Sequence, residues 1–315
     1  MNMQSSAVKS NYAGNKMKKI TIAFIASLAI SSVVNASQCT DNFSQGALQT
    51  LKQDKFVIKS SEQRNQTAEK LLLCLGHQDP KVRDDIVYAA TSEWLRGNLL
   101  APATVKKMFN SLLDILLQAS QDSHNFTQPF AALVLSEVLR VDRINPYLTD
   151  DELQKAINVT TSYMGNITDY RGFDDTQGWR HAVAHTADVF LQLSLNKKLS
   201  KVQLDQLLDA LKSQVSPQSL HFYVFGEPKR LAMAFIYIVL RGEHTQQQLL
   251  NYLDRVASPA PFTDWQSVYG DQKGLAKLHN TRSFIYSIFA ISAQSDNPLL
   301  QAIKPKLVEL IGQLG

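Results

Sequence analysis

The spacing of apolar residues is the feature of this sequence that most restricts its fold. Apolar side chains recur every three or four residues along almost the whole chain, and strict alternation of apolar and polar residues is nearly absent. A period of three to four places apolar side chains on one face of an α-helix, whereas a half-buried β-strand has a period of two. Glycine is also sparse, with 13 among 315 residues. The pattern therefore predicts an all-α fold, with twelve helices between Asp41 and Gln313.

Local signals locate several of these helices. One is predicted over Pro80–Gly97, and two others begin at the capping residues Thr149 and Ser200. Residues 226–230 are predicted to form a loop followed by a helix start, and the aromatic residues Phe222 and Phe225 before them are predicted to lie in the core.

The predicted helices fall into antiparallel pairs, each about 40–50 residues long, which is the length of a HEAT or armadillo repeat. The segment Asp79-Pro80-Lys81-Val82-Arg83, followed by Ala89-Ala90, resembles the second helix of a HEAT-type repeat. One helix pair cannot bury both of its apolar faces, so such pairs stack on one another. We therefore expect an α-α superhelix of the HEAT or armadillo type. An irregular helical bundle is the alternative.

The N-terminal segment has the order of features found in a secretory signal peptide. A short basic start at Met17-Lys18-Lys19 precedes a mainly apolar run that ends at Val34-Asn35-Ala36. This run has about 15 residues, and a helix that spans a membrane needs roughly 20. We predict that residues 1–36 are a cleaved signal peptide with an N-terminal extension. Residues 37–315 then form a single helical-repeat domain, periplasmic or secreted, with no membrane span after cleavage. The alternatives are a retained N-terminal anchor and a lipid-modified Cys39.

Removal of this segment changes the net charge. Residues 1–36 contain four lysines and no acidic residue, so four of the 32 basic residues are lost and 28 remain, against 28 acidic residues. The processed chain has no excess of positive charge with which to attract phosphate backbones. Nucleic acid is therefore not an expected partner.

The processed chain retains two cysteines, Cys39 and Cys74. An even number of cysteines in an oxidising compartment predicts a disulfide bond. Such a bond would tie the new N-terminus to an early helix. The alternative is two unpaired thiols, with Cys74 buried in an apolar run.

The helical pattern is interrupted once by a polar, glycine-containing segment, residues 169–188. Gly172 and Gly178 bracket a loop, and a helix is predicted from Trp179 to Leu193. On that helix His181, His185 and Asp188 occupy positions i, i+4 and i+7, so they would lie along one face.

This segment resembles that of an all-helical, HEAT-like bacterial family of unknown function. The shared residues are Arg171-Gly172-Phe173 and Gly178-Trp179, followed by His181, Ala182, Ala184, His185, Ala187 and Asp188. Members of that family often carry a smaller residue where Arg180 stands. The resemblance implies the helical fold and singles out this segment, but it implies no activity.

Three hypotheses describe what the segment does. In the first, it is a metal site, because two histidines at i and i+4 with a nearby carboxylate can ligate zinc. The ligands would be His181, His185 and Asp188, with a fourth from Asp174, Asp175 or His279. The glutamate of a His-Glu-x-x-His helix is missing, since Ala-Val-Ala separates the two histidines.

In the second hypothesis the segment lines a groove on the inner surface of the superhelix and binds a carboxylate, a sugar or a peptide. The proposed ligand-binding residues are Arg171, Trp179, His181, His185 and Asp188, with Arg230 and Arg282 projecting from later helices. Tyr223 and His279 would project to the same side. In the third hypothesis the histidines only hydrogen-bond the 171–177 loop, and Asp188 fixes a histidine tautomer.

These observations favour an exported binding or scaffold module for a peptide, a glycan or an envelope protein, with no cofactor. A metal-dependent hydrolase with a His/His/Asp zinc centre is the first alternative, and a structural protein without a ligand is the second.

Overall fold

Helices stack in two layers in the computed structural model, which describes residues 36–118 and 122–315. In chain order the elements are α1 (Ala36–Asn42), α2 (Gln45–Gln53), α3 (Ser61–Leu71), a 3-10 turn (Leu72–Cys74), α4 (Pro80–Val82), a π-helical segment (Arg83–Tyr88), α5 (Ala89–Arg96), α6 (Pro102–Leu117), α7 (Thr127–Ile144), α8 (Asp150–Asn166), β1 (Phe173–Asp174), β2 (Gly178–Trp179), α9 (Ala182–Leu195), α10 (Lys201–Val215), α11 (Glu227–Leu240), α12 (Gln246–Val256), a second 3-10 turn (Ser267–Gly270), α13 (Gln272–Ala293) and α14 (Pro298–Leu314).

The packing follows the order of the chain. Layer A consists of α5, α7, α9, α11 and α13, each of which packs on the next. Layer B consists of α6, α8 and α10, which pack on one another in the same way. Consecutive helices also pack together, as α6 does with α7, α10 with α11, and α13 with α14. The predicted all-α fold of packed helix pairs is confirmed.

Layer A is held together by large aromatic side chains. Phe130, Phe190, Phe235 and Phe284 come one each from α7, α9, α11 and α13, and all four are fully buried. Burying one phenylalanine stabilises a fold by about 1.5–3 kcal/mol relative to leaving it exposed. The regular apolar spacing therefore supplies a core residue at each step of the stack.

Local capping defines where several helices begin. Capping boxes start α8, α10 and α12, in the pairs Thr149–Glu152, Ser200–Gln203 and Thr245–Gln248. In each pair the hydroxyl accepts from a backbone N–H while the third helical residue accepts from the backbone of the cap. The predicted starts at Thr149 and Ser200 are confirmed.

The predicted helix at Pro80–Gly97 is not uniform. Its first turn, α4, passes into the π-helical segment Arg83–Tyr88 before α5 resumes regular geometry. The π segment begins at Arg83, whose side chain is fully buried, and ends at Tyr88, which reaches Glu137 of α7. Single π turns of this kind occur often near functional sites.

The N-terminal part of the described chain is tied down covalently. A disulfide bond joins Cys39 of α1 to Cys74 of the first 3-10 turn, as predicted. Residues 1–35 of the predicted signal peptide lie outside the described residues. The described residues belong to one compact unit. No helix among them combines the length and the apolar character needed to cross a bilayer.

Candidate functional site

A short β-hairpin stands where the sequence predicted the start of α9. Phe173 pairs with Trp179 and Asp174 with Gly178, in antiparallel register. The helix begins at Ala182 rather than at Trp179, because His181 adopts a left-handed backbone with φ of 61°. This conformation is uncommon for any residue with a Cβ atom and ends the regular geometry on both sides. The prediction of helix from Trp179 was therefore wrong by three residues.

Two buried arginines fix the hairpin to its neighbours. Arg83 donates to the carbonyl of Gln177 at the hairpin turn, and its guanidinium lies 3.6 Å from the centroid of the Phe126 ring. Arg180 donates from Nε to the carbonyl of His124, at 2.7 Å, and from Nη2 to Oε1 of Gln177, at 2.6 Å. Burial is the main cause that lowers the pKa of Arg83 to about 10, and the guanidinium therefore stays charged at neutral pH. The loop is therefore held against the π-helical segment and against the residues that precede α7.

Two glycines allow this close packing. A Cβ atom on Gly172 would lie 2.0 Å from the ring of Phe225, and one on Gly178 would lie 2.6 Å from Cβ of Pro80. Gly178 also has φ of 71°, a conformation that favours glycine. The two glycines that bracket the predicted loop are thus explained by close approach to α4 and to the segment before α11.

Three aromatic side chains form a partly exposed cluster at the hairpin, which we call the aromatic patch: Phe173, Trp179 and Phe225. The ring of Trp179 lies 5.0 Å from that of Phe173 and 5.9 Å from that of Phe225, centroid to centroid. One face of the indole stacks on the imidazole of His181, with 4.7 Å between centroids. Phe173 is 44% exposed, so the patch reaches solvent.

His181 faces a carboxylate from the next helix of layer A. Its Nε2 atom lies 3.7 Å from Oε1 of Glu227, the first residue of α11. The two side chains are only 10% and 3% exposed, and neither of these two atoms has a hydrogen-bond partner among the described residues. The other oxygen of Glu227 accepts from the backbone N–H of Phe225 at 2.9 Å. Two buried polar atoms thus face each other without a hydrogen bond between them.

The protonation of this pair follows from its surroundings. Burial lowers the pKa of His181 to about 4, the Arg230 charge lowers it further, and a hydrogen bond to the Phe225 carbonyl opposes both effects. The ring is therefore neutral at pH 7. Since Nε2 is unpartnered and the Phe225 backbone favours a hydrogen on the ring, we assign the ring hydrogen to Nδ1, which leaves Nε2 as an acceptor. Burial also raises the pKa of Glu227 above its usual value.

Asp188 and Arg230 join α9 to α11 beside that pair. Arg230 Nη2 donates to Oδ2 of Asp188 at 2.6 Å, while Arg230 Nε is buried without a partner in the described part of the chain. Burial raises the pKa of Asp188 to about 6; Arg230 lowers it, and the charge of Glu137 on α7 raises it. We call His181, Asp188, Glu227 and Arg230, together with the aromatic patch, the His181 site.

His185 lies directly behind this site. Its ring is 5.5 Å from that of His181 and 5.5 Å from that of Phe130, and its Nδ1 is 3.1 Å from the carbonyl oxygen of Pro129. Complete burial holds its pKa well below the usual range. The predicted proximity of His181 and His185 is therefore observed, but His185 is turned towards α7 and Asp188 towards α11.

The metal hypothesis required convergent ligands. In residues 36–118 and 122–315 no group of three or more His, Cys, Asp or Glu side chains is arranged so that it could hold a metal ion. Asp174 uses Oδ1 to accept from the backbone of Thr176 and Gln177 within the hairpin turn. His279 uses Nε2 in a contact of 3.0 Å with the carbonyl of Tyr223.

Two of the predicted ligand-binding arginines lie elsewhere. Arg171 is mostly exposed and pairs with Asp169, with 2.5 Å between Nη2 and Oδ2. Arg282 donates to the carbonyl of Leu314 at 2.5 Å, at the end of α14. Trp179, His181, Asp188 and Arg230 are brought together. Arg171 meets this group only through its backbone carbonyl, which accepts from the His181 N–H at 3.1 Å, and no contact joins the Arg282 side chain to it among the described residues.

Sequence reasoning missed Glu227 and Phe225, which complete the site. The segment before α11 read as a loop followed by a helix start, with the nearby aromatic residues assigned to the core. Gly226 has φ of 92°, and Glu227 and Pro228 begin the helix behind it. Such a start is visible in the sequence, but its position beside His181 depends on the packing of α9 against α11.

A second polar group lies next to Asp188 in layer A. Arg96 of α5 forms a two-point ion pair with Glu137 of α7, donating from Nε at 2.9 Å and from Nη2. Tyr88 donates to the same carboxylate at 3.4 Å. Burial raises the pKa of Tyr88, and the charges of Glu137 and, to a smaller extent, Asp188 raise it further. Charged side chains thus continue from the His181 site across α7 to α5.

Comparison with known proteins gives one family. No curated protein and no solved structure matches the chain. A family model described as "Protein of unknown function (DUF2785)" matches residues 98–290, a segment that contains the hairpin, α9 and α11. Because this model covers more than half of the sequence, the chain belongs to the DUF2785 family of proteins of unknown function.

Proposed function

We propose that this chain is an exported binding module that holds a hydroxyl-rich ligand, a glycan, at the His181 site. The observation that carries the proposal is the pair of buried acceptors, His181 Nε2 and Glu227 Oε1, which face each other at 3.7 Å without partners. Buried polar atoms in folded proteins are nearly always hydrogen-bonded, and an unpaired one costs about 1–3 kcal/mol. A ligand hydroxyl or amide that donates to them would recover this free energy.

The groups around the pair fit a sugar. Asp188 offers acceptor oxygens, and the Arg230 guanidinium offers fixed donors, one of which is unpartnered among the described residues. The aromatic patch adds an apolar surface, on which the C–H face of a pyranose ring can pack. A site with planar polar groups beside a tryptophan binds an uncharged, polar, ring-shaped ligand better than a long apolar one.

Rigidity of the site supports binding. The hairpin is anchored by Arg83 and Arg180, and Gly172 lets the backbone approach Phe225 closely. A preformed backbone loses less conformational entropy when a ligand binds, so that only the side chains covering His181 Nε2 and Glu227 Oε1 have to move to admit it. The left-handed backbone of His181 is a further sign, since strained residues held by their surroundings concentrate at functional sites.

The proposed location is outside the cytoplasm, in the periplasm or beyond the cell. The Cys39–Cys74 disulfide supports it, because such bonds persist mainly in oxidising compartments. Envelope glycans are then the nearest source of ligand. The intact mass of the protein from an envelope fraction tests export, and loss of residues 1–36 is expected.

Calorimetric titration of the processed chain tests the binding function. The probes are chitobiose, cellobiose, a muramyl dipeptide and trialanine. We expect at least one saccharide probe to bind, and Trp179→Ala to weaken its affinity at least tenfold. Tyr269→Ala is the matched control, since Tyr269 is an exposed aromatic residue outside the aromatic patch.

Two outcomes would contradict the proposal. Binding of trialanine alone, with the same dependence on Trp179, would identify a peptide module. Absence of binding across the panel, together with a large loss of stability in Trp179→Ala, would leave the segment with a structural role.

A further inference from the structure

A second concave surface lies away from the His181 site, between the ends of α10 and α12 and the start of α13. It is a cleft of about 460 Å³. The polar side chains that matter here are Asp209, Lys212, Ser216, Arg255, Ser258 and Lys277. The volume is sufficient for a small ligand with one sugar-sized ring.

Positive charge dominates the cleft. Lys212, Arg255 and Lys277 face a single carboxylate, Asp209, whose Oδ1 atom is 3.7 Å from Nη1 of Arg255. If the Asp209 carboxylate balances the charge of Arg255, the ammonium groups of Lys212 and Lys277 remain without an opposite charge in the cleft. Like charges held close together cost free energy unless an opposite charge lies between them.

The C-terminal ends of two helices stabilise two of the three positive charges. Lys212 and Arg255 stand in the last turns of α10 and α12, where the partial negative charge of the helix end stabilises a cation. Lys277 is different, because it lies in the second turn of α13, which begins at Gln272. The nearer end of that helix is its positive end, so the helix offers Lys277 no compensation.

The surroundings of Lys277 confirm that its charge is not neutralised within the described chain. Its Nζ donates to the Ser216 hydroxyl at 3.3 Å and lies 5.7 Å from the centroid of the Trp265 ring. No carboxylate of residues 36–118 or 122–315 forms an ion pair with it. Burial lowers its pKa, and the charge of Lys212 lowers it further. A half-buried ammonium group is therefore held in place by a hydroxyl and an indole face.

We propose that this cleft is a binding site for an oxyanion, the phosphate, sulfate or carboxylate group of a small ligand. Lys277 and Lys212 provide the opposite charges. The Ser216 hydroxyl accepts from Lys277 and so has its own hydrogen free to donate to the anion. Charge-assisted hydrogen bonds of this kind are about twice as strong as neutral ones.

One loop connects the cleft to the His181 site, but a ligand in the cleft does not depend on a ligand at the His181 site. The segment after α10 begins at Ser216 in the cleft and ends at Phe225 in the aromatic patch. Its middle is fixed to α13, where the Asn280 side chain accepts from the backbone of Tyr223 and donates to that of His221. Because the middle of this loop is fixed to α13, its end in the cleft is positioned whether or not the His181 site is occupied.

Thermal unfolding of the processed chain in sodium phosphate and in sodium chloride, at equal ionic strength, tests the proposal. We expect the melting temperature of the wild type to rise with millimolar phosphate, and calorimetry to give a Kd that Lys277→Gln weakens at least tenfold. Glucuronate serves as the second probe and separates carboxylate from phosphate ligands.

Variants keep the test decisive. Lys277→Arg retains the charge and should retain the phosphate response, whereas Lys59→Gln removes an exposed lysine between α2 and α3 and should leave it unchanged. Lys277→Gln should also melt higher than the wild type in chloride, because the uncompensated ammonium group is gone. An equal phosphate response in wild type and Lys277→Gln would overturn the proposal. A wild-type response that chloride reproduces would do the same.

Discussion

Oδ2 of Asp188 and Nη2 of Arg230 are 2.6 Å apart, and this ion pair joins α9 to α11 beside the unpaired atoms of His181 and Glu227. The pair does not fully offset the cost of burying its carboxylate, since burial raises the pKa of Asp188 to about 6. His181 shows the opposite relation, because burial and the same arginine lower its pKa to about 4. Two neighbouring groups therefore oppose each other in their effects on stability across one pH range.

Asp188→Asn separates the two effects. The folded-state pKa of Asp188 lies above its usual value of 3.8, so its contribution to stability is fully present below pH 4 and is lost as the pH rises through 6. The stability of the wild type relative to Asp188→Asn should therefore fall by about 2 kcal/mol between pH 4 and pH 7. Urea unfolding at pH 4, 5, 6 and 7 measures this difference, in which the opposing effect of His181 largely cancels. Parallel stability curves would show that the Asp188 carboxyl is not perturbed.

Glu227→Gln should stabilise the protein. The glutamine amide can donate to His181 Nε2 while its oxygen keeps the hydrogen bond from Phe225, so both unpaired atoms gain a partner. We expect a gain of about 1–3 kcal/mol at pH 7, the usual cost of an unpaired buried polar group. The gain should shrink in acid, because burial raises the pKa of Glu227 and protonation supplies the same donor.

Thermal unfolding of Glu227→Gln at pH 7 and pH 4 checks this result. Glu62→Gln is the matched control, because Glu62 is exposed in the first turn of α3. Glu227→Gln should also bind the glycan probe more weakly, since the two atoms that would accept from the ligand then have a partner within the protein. A loss of stability in Glu227→Gln would mean that the pair is bridged in the free protein.

Gly172→Ala should displace Phe225 and destabilise the protein. The new Cβ atom would lie 2.0 Å from the Phe225 ring, and such overpacking costs about 1–3 kcal/mol. Trp179 fluorescence should change as well, because the two rings are in contact. Gly165→Ala is the control, since a Cβ atom there meets nothing within 4 Å and alanine favours the helix. Equal stabilities of the two variants would contradict the packing described at Gly172.

Removal of the disulfide should destabilise the chain without changing the His181 site. Cys39 and Cys74 are 35 positions apart, and closing a loop of that length contributes about 3–4 kcal/mol in the chain-entropy treatment. The double variant Cys39→Ala/Cys74→Ala and the reduced wild type should both unfold at lower urea concentration than the oxidised protein. If reduction leaves the unfolding midpoint unchanged, the bond contributes no stability.

Local features of the fold were predictable from the sequence. The helical spacing, the caps at Thr149 and Ser200, and the pairing of Cys39 with Cys74 all followed from residue types at short range or from a count of two cysteines. Helix formation and capping depend on residues within four positions of one another, so a single chain segment contains the necessary information.

The site required the tertiary structure. The sequence indicated that His181, His185 and Asp188 were neighbours, but it did not show that Glu227 and Arg230 of α11 would complete the group, or that Arg171 would turn to Asp169. Those contacts arise because layer A stacks α9 between α7 and α11, and a pattern within one helix does not specify which helix packs beside it.

The backbone of His181 shows the same division. Its helical spacing to His185 favoured a helix that included both residues. However, strand β2 pairs with β1 just before His181, and the His181 ring is buried against Glu227, so that His181 has a left-handed backbone. The sequence by itself therefore determined which segments are helical and which residues are polar. Only the packing of distant segments decided which polar atoms meet, since long-range contacts supply the free energy that overrides a local preference.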